Sequence, residues 1–191
     1  MANLRVSLVQ TDLVWEDPAA NCAQLEEKLA VLAGETDVIV LPEMFATGFS
    51  MSETGAEIGK GPALQWMQLQ ANRLGALVIG SLKVKQQNSF YNRLYAVKPD
   101  GSFHAYDKRH LFRMGGEHEF YQDGNQQVIV TYKDWKYTSN QKSRIPHSRG
   151  HRMGRSSKRG SQENKRTFEG IPTTRRHCAG HITRPSHSHF R

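Results

Sequence analysis

The stretch Asp37-Val38-Ile39-Val40-Leu41-Pro42-Glu43 decides the fold class of this chain. Its β-branched and aliphatic centre is typical of a buried strand, and Pro42 ends that strand just before an acidic residue. A carboxylate that follows a buried strand lies where α/β proteins place their ligand crevice. Glu43 is therefore a candidate general base, although one such residue alone is more typical of an acid that caps a loop.

Helix and strand signals alternate on both sides of this stretch. Apolar runs predict strands over residues 4–10 and 76–84, in addition to the strand over 37–41. Helices are predicted over 17–34 and 61–75, because each of these segments has a proline in the first helical position and a glycine at its end. The order is strand, helix, strand, helix, strand.

The pattern then changes to β-hairpins. Strands over 91–97 and 103–106 flank Pro99-Asp100-Gly101-Ser102, which has strong turn chemistry. A further strand is predicted over 127–132, followed by a turn and another strand at Trp135. This order predicts an α/β domain with a mixed sheet and helices on one or both faces. Because the pattern stops there, we expect one apolar face of the sheet to remain uncovered.

The composition of the chain changes after Tyr137. The last 54 residues hold 13 Lys or Arg and two acids, a net charge of +11, and contain no Leu, Val, Trp or Asp. Residues 1–137 hold 13 basic and 16 acidic residues. The last segment cannot bury enough apolar surface to offset roughly 1–2 kcal/mol of backbone entropy per residue. We therefore predict a partial domain over 1–137 and a disordered basic tail over 138–191.

Several functional classes are excluded by the composition. No apolar run approaches the roughly 20 residues that a membrane-spanning helix requires. The N-terminal residues lack the continuous apolar segment of a secretory signal. Two cysteines, Cys22 and Cys178, cannot form a disulfide framework. We expect a cytoplasmic protein without a membrane anchor.

Two further motifs contain candidate catalytic residues. Tyr106-Asp107-Lys108-Arg109-His110-Leu111-Phe112 follows a predicted strand, and a lysine in that position can stabilise an oxyanion. Alternatively, this motif is a solvated turn of alternating charge. Glu117 lies between glycines and a histidine, in Gly115-Gly116-Glu117-His118, as do many acids in ordinary loops.

Together the motifs are far more specific than any one of them. Val38-Ile39-Val40-Leu41-Pro42-Glu43-Met44-Phe45, Gly80-Ser81, Tyr91-Asn92-Arg93, the Lys108 motif, and Glu117 with the later Gly124 occur in a family order. Over residues 4–136 they resemble the carbon–nitrogen hydrolase (nitrilase) superfamily, and most closely the bacterial omega-amidases. The resemblance implies the N-terminal half of a four-layer α-β-β-α sandwich, which in this family is completed by formation of a homodimer.

The resemblance also implies a reaction. Omega-amidases hydrolyse the terminal amide of small 2-oxo acids such as 2-oxoglutaramate and release ammonia, without a metal or organic cofactor. By this resemblance Glu43 is the general base, Lys108 stabilises the tetrahedral oxyanion, and Glu117 orients the lysine and the substrate. The nucleophile of the family is a cysteine thiolate, which forms a thioester that water then cleaves.

This chain departs from the family at its nucleophile. The family cysteine follows shortly after the position of Lys136, where this chain has Tyr137-Thr138-Ser139-Asn140-Gln141-Lys142-Ser143. Cys22 lies on the apolar stripe of a predicted helix, and Cys178 lies in the basic tail. We therefore predict a catalytically inactive chain. A frameshift near codon 137 explains the abrupt change, and a genuine basic tail is the alternative.

The tail itself allows non-enzymatic interpretations. Its charge would attract nucleic acid non-specifically, and the chain could also be an α/β remnant whose arm binds an intact hydrolase subunit. Few aromatic side chains are available for base stacking, so selective recognition is not indicated. His177, Cys178 and His181 suggest metal ligands, but zinc fingers need paired cysteines, so no metal site is predicted.

Overall fold

The computed structural model describes residues 3–138, so the predicted tail lies outside the described residues from Ser139 onward. Six strands form a mixed sheet and two more form a separate hairpin. In chain order the elements are β1 (Val6–Leu8), α1 (Pro18–Leu29), β2 (Val38–Val40), β3 (Glu57–Ile58), α2 (Pro62–Leu74), β4 (Leu77–Gln86), β5 (Ser89–Val97), β6 (Phe103–Asp107), α3 (Glu117–Phe120), β7 (Ile129–Tyr132) and β8 (Trp135–Thr138).

The main sheet has the strand order β1-β2-β4-β5-β6, and the short β3 also pairs with β4. The strands β1, β2 and β4 are parallel, whereas β4, β5 and β6 are antiparallel neighbours. The predicted mixed sheet is therefore confirmed. Since β5 reverses direction and β6 reverses it again, the carboxyl ends of β2, β4 and β6 all lie at one edge of the sheet.

The helix signals in the sequence work as expected at three of the four ends. The Asp17 side chain caps α1 by accepting a hydrogen bond from the Ala20 N–H at 3.0 Å. Gly75 ends α2 in the left-handed region, with φ of +63°. The first helix was predicted to reach Gly34, but it ends at Leu29 and continues as a 3-10 turn, Ala30–Leu32. Such tightening of the last turn is common at helix C-termini.

The two long helices, α1 and α2, pack on the same face of the sheet. Leu25 and Leu29 of α1 and Met67 of α2 are fully buried, in one cluster with sheet residues such as Ile39 and Val78. Alternation along each strand directs these sheet residues towards the helices and their neighbours towards the opposite face. The sequence left open whether helices cover one face or both, and the structure places the two predicted helices, α1 and α2, on one face.

The opposite face carries the β7–β8 hairpin. Val130 of this hairpin packs against Val38, Leu77 and Ala96 of the main sheet. An apolar cavity of about 240 Å³ remains beside this contact. The apolar side chains that line it are Ile79, Leu94, Ala96, Ala105, Val128 and Val130. At the β1 edge of the same face, Leu8 is 78% exposed, so part of this face is uncovered within residues 3–138.

Among the helices within residues 3–138, none combines the length and the apolar character that crossing a bilayer requires.

An ionic contact joins the hairpin to the sheet. Asp37, at the start of the stretch that decides the fold, accepts hydrogen bonds from the Lys133 ammonium and, at 2.9 Å, from the Arg5 N–H. The Lys133 ammonium lowers the pKa of Asp37 to about 2, and the Arg5 N–H contributes in the same direction. The carboxylate of Asp37 therefore favours the folded chain wherever it is ionised.

We expect this contact to make stability depend on pH. Because the folded-state pKa of Asp37 is lower than its ordinary value of about 3.9, its contribution is present above that value and is lost as pH falls towards 2. Urea unfolding of the wild type and of Asp37→Asn between pH 5 and 2.5 measures this difference. The difference between their free energies of unfolding should become smaller as the pH falls. Asp134→Asn, which changes an exposed acid in the adjacent turn, should leave the pH dependence unaltered.

Candidate active site

The three residues predicted from sequence come from three different elements. Glu43 follows β2, Lys108 follows β6, and Glu117 is the first residue of α3. The strands β2 and β6 run in the same direction within one sheet, so the residues that follow them lie at the same edge. The topology of the sheet therefore explains why side chains 65 positions apart in the chain are in contact.

The Lys108 ammonium lies between two carboxylates. Its Nζ donates a hydrogen bond to Oε1 of Glu43 at 2.8 Å and another to Oε2 of Glu117 at 2.8 Å. The Glu43 side chain is 50% exposed and that of Glu117 is fully buried. The same cation thus contacts an accessible carboxylate and a buried one.

Asn92 of β5 forms a second link between the same two acids. Its side-chain amide donates to Oε1 of Glu43 at 2.7 Å and to Oε1 of Glu117 at 2.9 Å. Asn92 is 2% exposed, so these hydrogen bonds satisfy an amide that would otherwise be buried without partners. Both carboxylates are consequently held from two sides.

The buried Glu117 is ionised despite its burial. Burial alone would raise the pKa of Glu117, but hydrogen bonds from Asn92, Lys108 and the Phe112 N–H hold it below the ordinary value. The Phe112 N–H bond measures 2.6 Å and reaches the carboxylate oxygen that also accepts from Lys108. Three donors therefore stabilise a negative charge that the interior would otherwise exclude.

Lys108 is correspondingly held in its charged form. Burial would lower the pKa of Lys108, but its hydrogen bonds to Glu117 and Glu43 outweigh that effect and raise the pKa. The ammonium also lies 5.2 Å from the centre of the Phe49 ring, over the face of the ring. The result is a permanent positive charge at the edge of the sheet.

Two glycines allow the backbone around Glu117 and Lys108 to adopt the conformation and close packing that the site requires. Gly116, with φ of +72°, immediately precedes the short helix α3, and Glu117 at the start of that helix is buried. Gly124 packs against β6 so closely that a Cβ there would lie 2.2 Å from the carbonyl oxygen of Asp107. The Gly124 N–H donates to the Lys108 carbonyl at 3.0 Å, which fixes the backbone of the lysine.

An open pocket of about 560 Å³ lies over the charged residues. Its polar part is formed by Glu43, Lys108 and His110, and its apolar part by Phe49, Leu111 and Phe112. A small polar molecule entering this pocket meets an exposed carboxylate and an ammonium side by side. The arrangement can accept a proton and stabilise a negatively charged oxygen within the same volume.

Cys22 is not part of this site. It lies on α1, where it packs against the cluster between the helices and the sheet. Burial, with the nearby charges of Glu57 and Glu26, raises the pKa of Cys22 to about 11. A thiol of this pKa is protonated near neutrality and is a poor nucleophile. Cys178, the metal ligands suggested near it, and Ser143 lie outside the described residues.

The described residues also contain no metal centre. Within residues 3–138 there is no cluster of three or more His, Cys, Asp or Glu side chains that could hold an ion.

Asn92 is the site residue that the sequence did not identify. The motif Tyr91-Asn92-Arg93 contributed to the family resemblance, but no role was assigned to the asparagine. Asparagine is depleted in strands, so its position in the middle of β5 was the available signal.

Comparison with known proteins identifies the family. The family model for carbon–nitrogen hydrolases matches residues 5–151, well over half of the chain. The chain belongs to the carbon–nitrogen hydrolase family. This match extends beyond Lys136, where the resemblance recognised from sequence motifs ends.

The curated relatives include omega-amidases. Omega-amidase YafV of Escherichia coli (strain K12) is 40% identical over 136 residues, which cover 71% of this chain and 53% of that protein. The 2-oxoglutaramate amidase of Bacillus subtilis (strain 168) is 29% identical over 126 residues, covering 63% of this chain and 48% of the relative. The chain therefore spans about half the length of the curated relatives that it matches.

Solved structures support the same fold. XC1258 from Xanthomonas campestris, a CN-hydrolase superfamily protein with an arsenic adduct in its active site, aligns with a TM-score of 0.70 and 42% identity. That alignment covers 72% of this chain and 52% of the other. Nit3 of Saccharomyces cerevisiae, at 23% identity and a TM-score of 0.60, shares the fold. The predicted partial nitrilase-type α/β fold is confirmed.

Replacing Lys108 should change the ionisation of Glu117. In Lys108→Met, Glu117 loses a donor and an adjacent positive charge, so its pKa should rise. A carboxyl-carbon NMR titration of the ¹³C-glutamate-labelled chain measures this pKa, with Glu117→Gln to assign the signal. Arg109→Met, which changes the exposed neighbour, should leave the Glu117 titration unchanged. An unaltered Glu117 titration in Lys108→Met would contradict the ionic arrangement described above.

Proposed function

We propose that this chain is the N-terminal portion of an omega-amidase-like hydrolase, derived from an enzyme that cleaves the terminal amide of small 2-oxo acid amides such as 2-oxoglutaramate. The chain itself is proposed to be catalytically inactive, because it lacks the cysteine nucleophile. The observation that carries this proposal is the Lys108 ammonium bonded at 2.8 Å to both Glu43 and Glu117. The names of the relatives supply the proposed substrate class.

Each side chain has a role that its position supports. Glu43 is the general base, because its carboxylate is half exposed and lines the pocket. Lys108 stabilises the oxyanion. Its ammonium has three N–H donors, and because two of them bond to the carboxylates, the third is left for the substrate oxygen. Glu117 is a positioning residue: it is buried, and it holds the lysine rather than contacting the pocket.

The missing component is the thiolate. In the family reaction a cysteine thiolate attacks the amide carbonyl, ammonia leaves, and water cleaves the thioester. Cys22 cannot replace that nucleophile, since it packs on the helix side of the sheet and its pKa is raised. A serine such as Ser139 or Ser143 is also a poor substitute, because its alkoxide is far more basic than a thiolate.

The basic segment after Tyr137 is proposed to be an out-of-frame translation product. The segment contains no leucine or valine and carries a net charge of +11, whereas residues 1–137 have the composition of a folded domain. A genuine basic tail is the alternative. Formation of a homodimer, a cytoplasmic location and non-specific binding of nucleic acid by the tail stay as predictions.

The purified 191-residue chain should not hydrolyse 2-oxoglutaramate. Ammonia release should equal that of a protein-free blank, because no thiolate is available to attack the amide. The E. coli omega-amidase serves as the positive control under the same conditions. Turnover by this chain that is lost in Glu43→Gln would show that another group replaces the cysteine, and would overturn the predicted inactivity.

The nucleotide sequence around codon 137 tests the origin of the tail. When this nucleotide sequence is translated in all three frames, one of the two other frames should encode a Cys-Tyr-Asp motif shortly after Lys136. A chain expressed in that frame should then hydrolyse 2-oxoglutaramate, and its Glu43→Gln variant should not. If the gene encodes residues 138–191 in its only open frame, the frameshift hypothesis is wrong and the basic tail is genuine.

A further inference from the structure

Lys83 of β4 is a buried cation that the proposed chemistry does not use. It is 1% exposed, and its ammonium donates to Oγ of Ser50 at 3.1 Å and to the carbonyl oxygen of Thr54 at 2.7 Å. Burial lowers the pKa of Lys83, while the charge of Glu16 opposes that shift. Burying an ammonium is costly unless partners compensate for the lost water. The ammonium of Lys83 therefore requires a compensating partner nearby.

The compensating anion is Glu16. Its carboxylate accepts hydrogen bonds from the hydroxyl groups of Ser50 and Ser52, which lower the pKa of Glu16. Ser50 is fully buried and lies between the two charges, because it accepts from Lys83 and donates to Glu16. We refer to Lys83, Ser50 and the partly exposed Glu16 together as the relay.

The relay holds the segment that carries Glu43. After β2 the chain passes through Glu43 and Met44 and reaches Ser50. Met44 is fully buried with φ of +48°, an unusual conformation for a residue with a side chain. Its N–H donates to Oγ of Ser81 on β4 at 2.9 Å. Strain of this kind persists only where the surroundings enforce it.

Further contacts fix the far end of this segment. The carbonyl oxygen of Ser50 accepts a hydrogen bond from the Tyr121 hydroxyl at 2.5 Å, and Tyr121 is 1% exposed. Ser50 is thus held by Lys83, Glu16 and Tyr121 together. The segment between Glu43 and Ser50 is attached to the sheet at both ends.

Lys83 also lies beside the residue that holds Glu43. The antiparallel register of β4 and β5 pairs Lys83 with Asn92, so both side chains project from the same face of the sheet. Asn92 donates to Glu43 at 2.7 Å. One end of the segment is therefore held by Asn92 and the other by Lys83, from adjacent positions on neighbouring strands.

We propose that Lys83 is a positioning residue, which acts through Ser50 and Glu16 to hold the Glu43 carboxylate against Asn92 and Lys108. This inference rests on the proposed role of Glu43, but its test does not require turnover. A negative result would therefore refute the role of Lys83, whereas the proposed function is tested separately by ammonia release. This positioning role also explains the presence of a buried ammonium that is not among the groups lining the pocket.

The test uses Lys83→Met and Glu16→Gln in the full 191-residue chain, observed by NMR. Amide exchange at Met44 and Gly48 should accelerate by about tenfold or more in both variants, because their segment opens more often. The Asn92 side-chain proton bonded to Glu43 should shift upfield as that hydrogen bond weakens. Glu16 does not contact Asn92, so its variant excludes a direct effect of the substitution on the reporter.

Lys85→Met is the matched control. Lys85 lies on the same strand and face, and its ammonium pairs with Glu53 at 3.0 Å, but it is partly exposed. This variant should leave the Asn92 signals unchanged. If the Asn92 signals stay constant in Lys83→Met and Glu16→Gln while only the melting temperature falls, Lys83 is merely structural and the proposal is wrong.

Two further outcomes are also decisive. If Lys83→Met does not fold, Glu16→Gln decides the proposal, because it retains the buried lysine. If β4 and β5 of the unmodified chain show no protected amides, the relay does not form in solution and the proposal fails.

Discussion

The negative charge of Glu117 is the constraint on which the site depends. A fully buried carboxylate is unfavourable unless donors surround it, and here the donors are Lys108, Asn92 and the Phe112 N–H. Each donor in turn requires a particular backbone position. The left-handed Gly116 presents Glu117 to them, and the close packing of Gly124 against β6 fixes the lysine backbone. The charge thus explains two glycines and an asparagine that otherwise have no evident purpose.

The direction of the strands brings the residues of the site together. Because β2, β4 and β6 share one direction, the segments that leave them begin at one edge and their first side chains meet there. Because side chains alternate along β4 and β5, the two faces of these strands carry different kinds of residue. Leu82 faces the helices within the main apolar cluster, while its neighbour Lys83 pairs with Asn92 on the opposite face. The apolar core and the polar network therefore occupy different sides of the same strands.

Local signals explain why much of the fold and part of the site were predictable. Proline, Asp17 and Gly75 marked three of the four ends of α1 and α2. The position of Glu43 and Lys108 after strands placed both at one edge of the sheet. The β4–β5 hairpin was not predicted, because the first residue of its Gln87-Asn88 turn is a left-handed glutamine, where glycine, asparagine or aspartate is the usual signal. Asn92 and Lys83 acquire meaning only from the register between strands, which depends on non-local pairing. Sequence periodicity carries no direct signal for that register.

The polar site is self-contained, and this accounts for its geometry in a chain that spans about half of its relatives. The hydrogen bonds described for Glu43, Lys108 and Glu117 join them to one another, to Asn92 and to nearby backbone groups, all within residues 43–124. No partner from a later segment is needed to satisfy these charges. Residues 43–124 therefore contain every group described as holding the Glu43 carboxylate and the Lys108 ammonium. Under the proposed function, a missing cysteine would remove only the attacking atom, because the hydrogen bonds among Glu43, Asn92, Lys108 and Glu117 do not involve it.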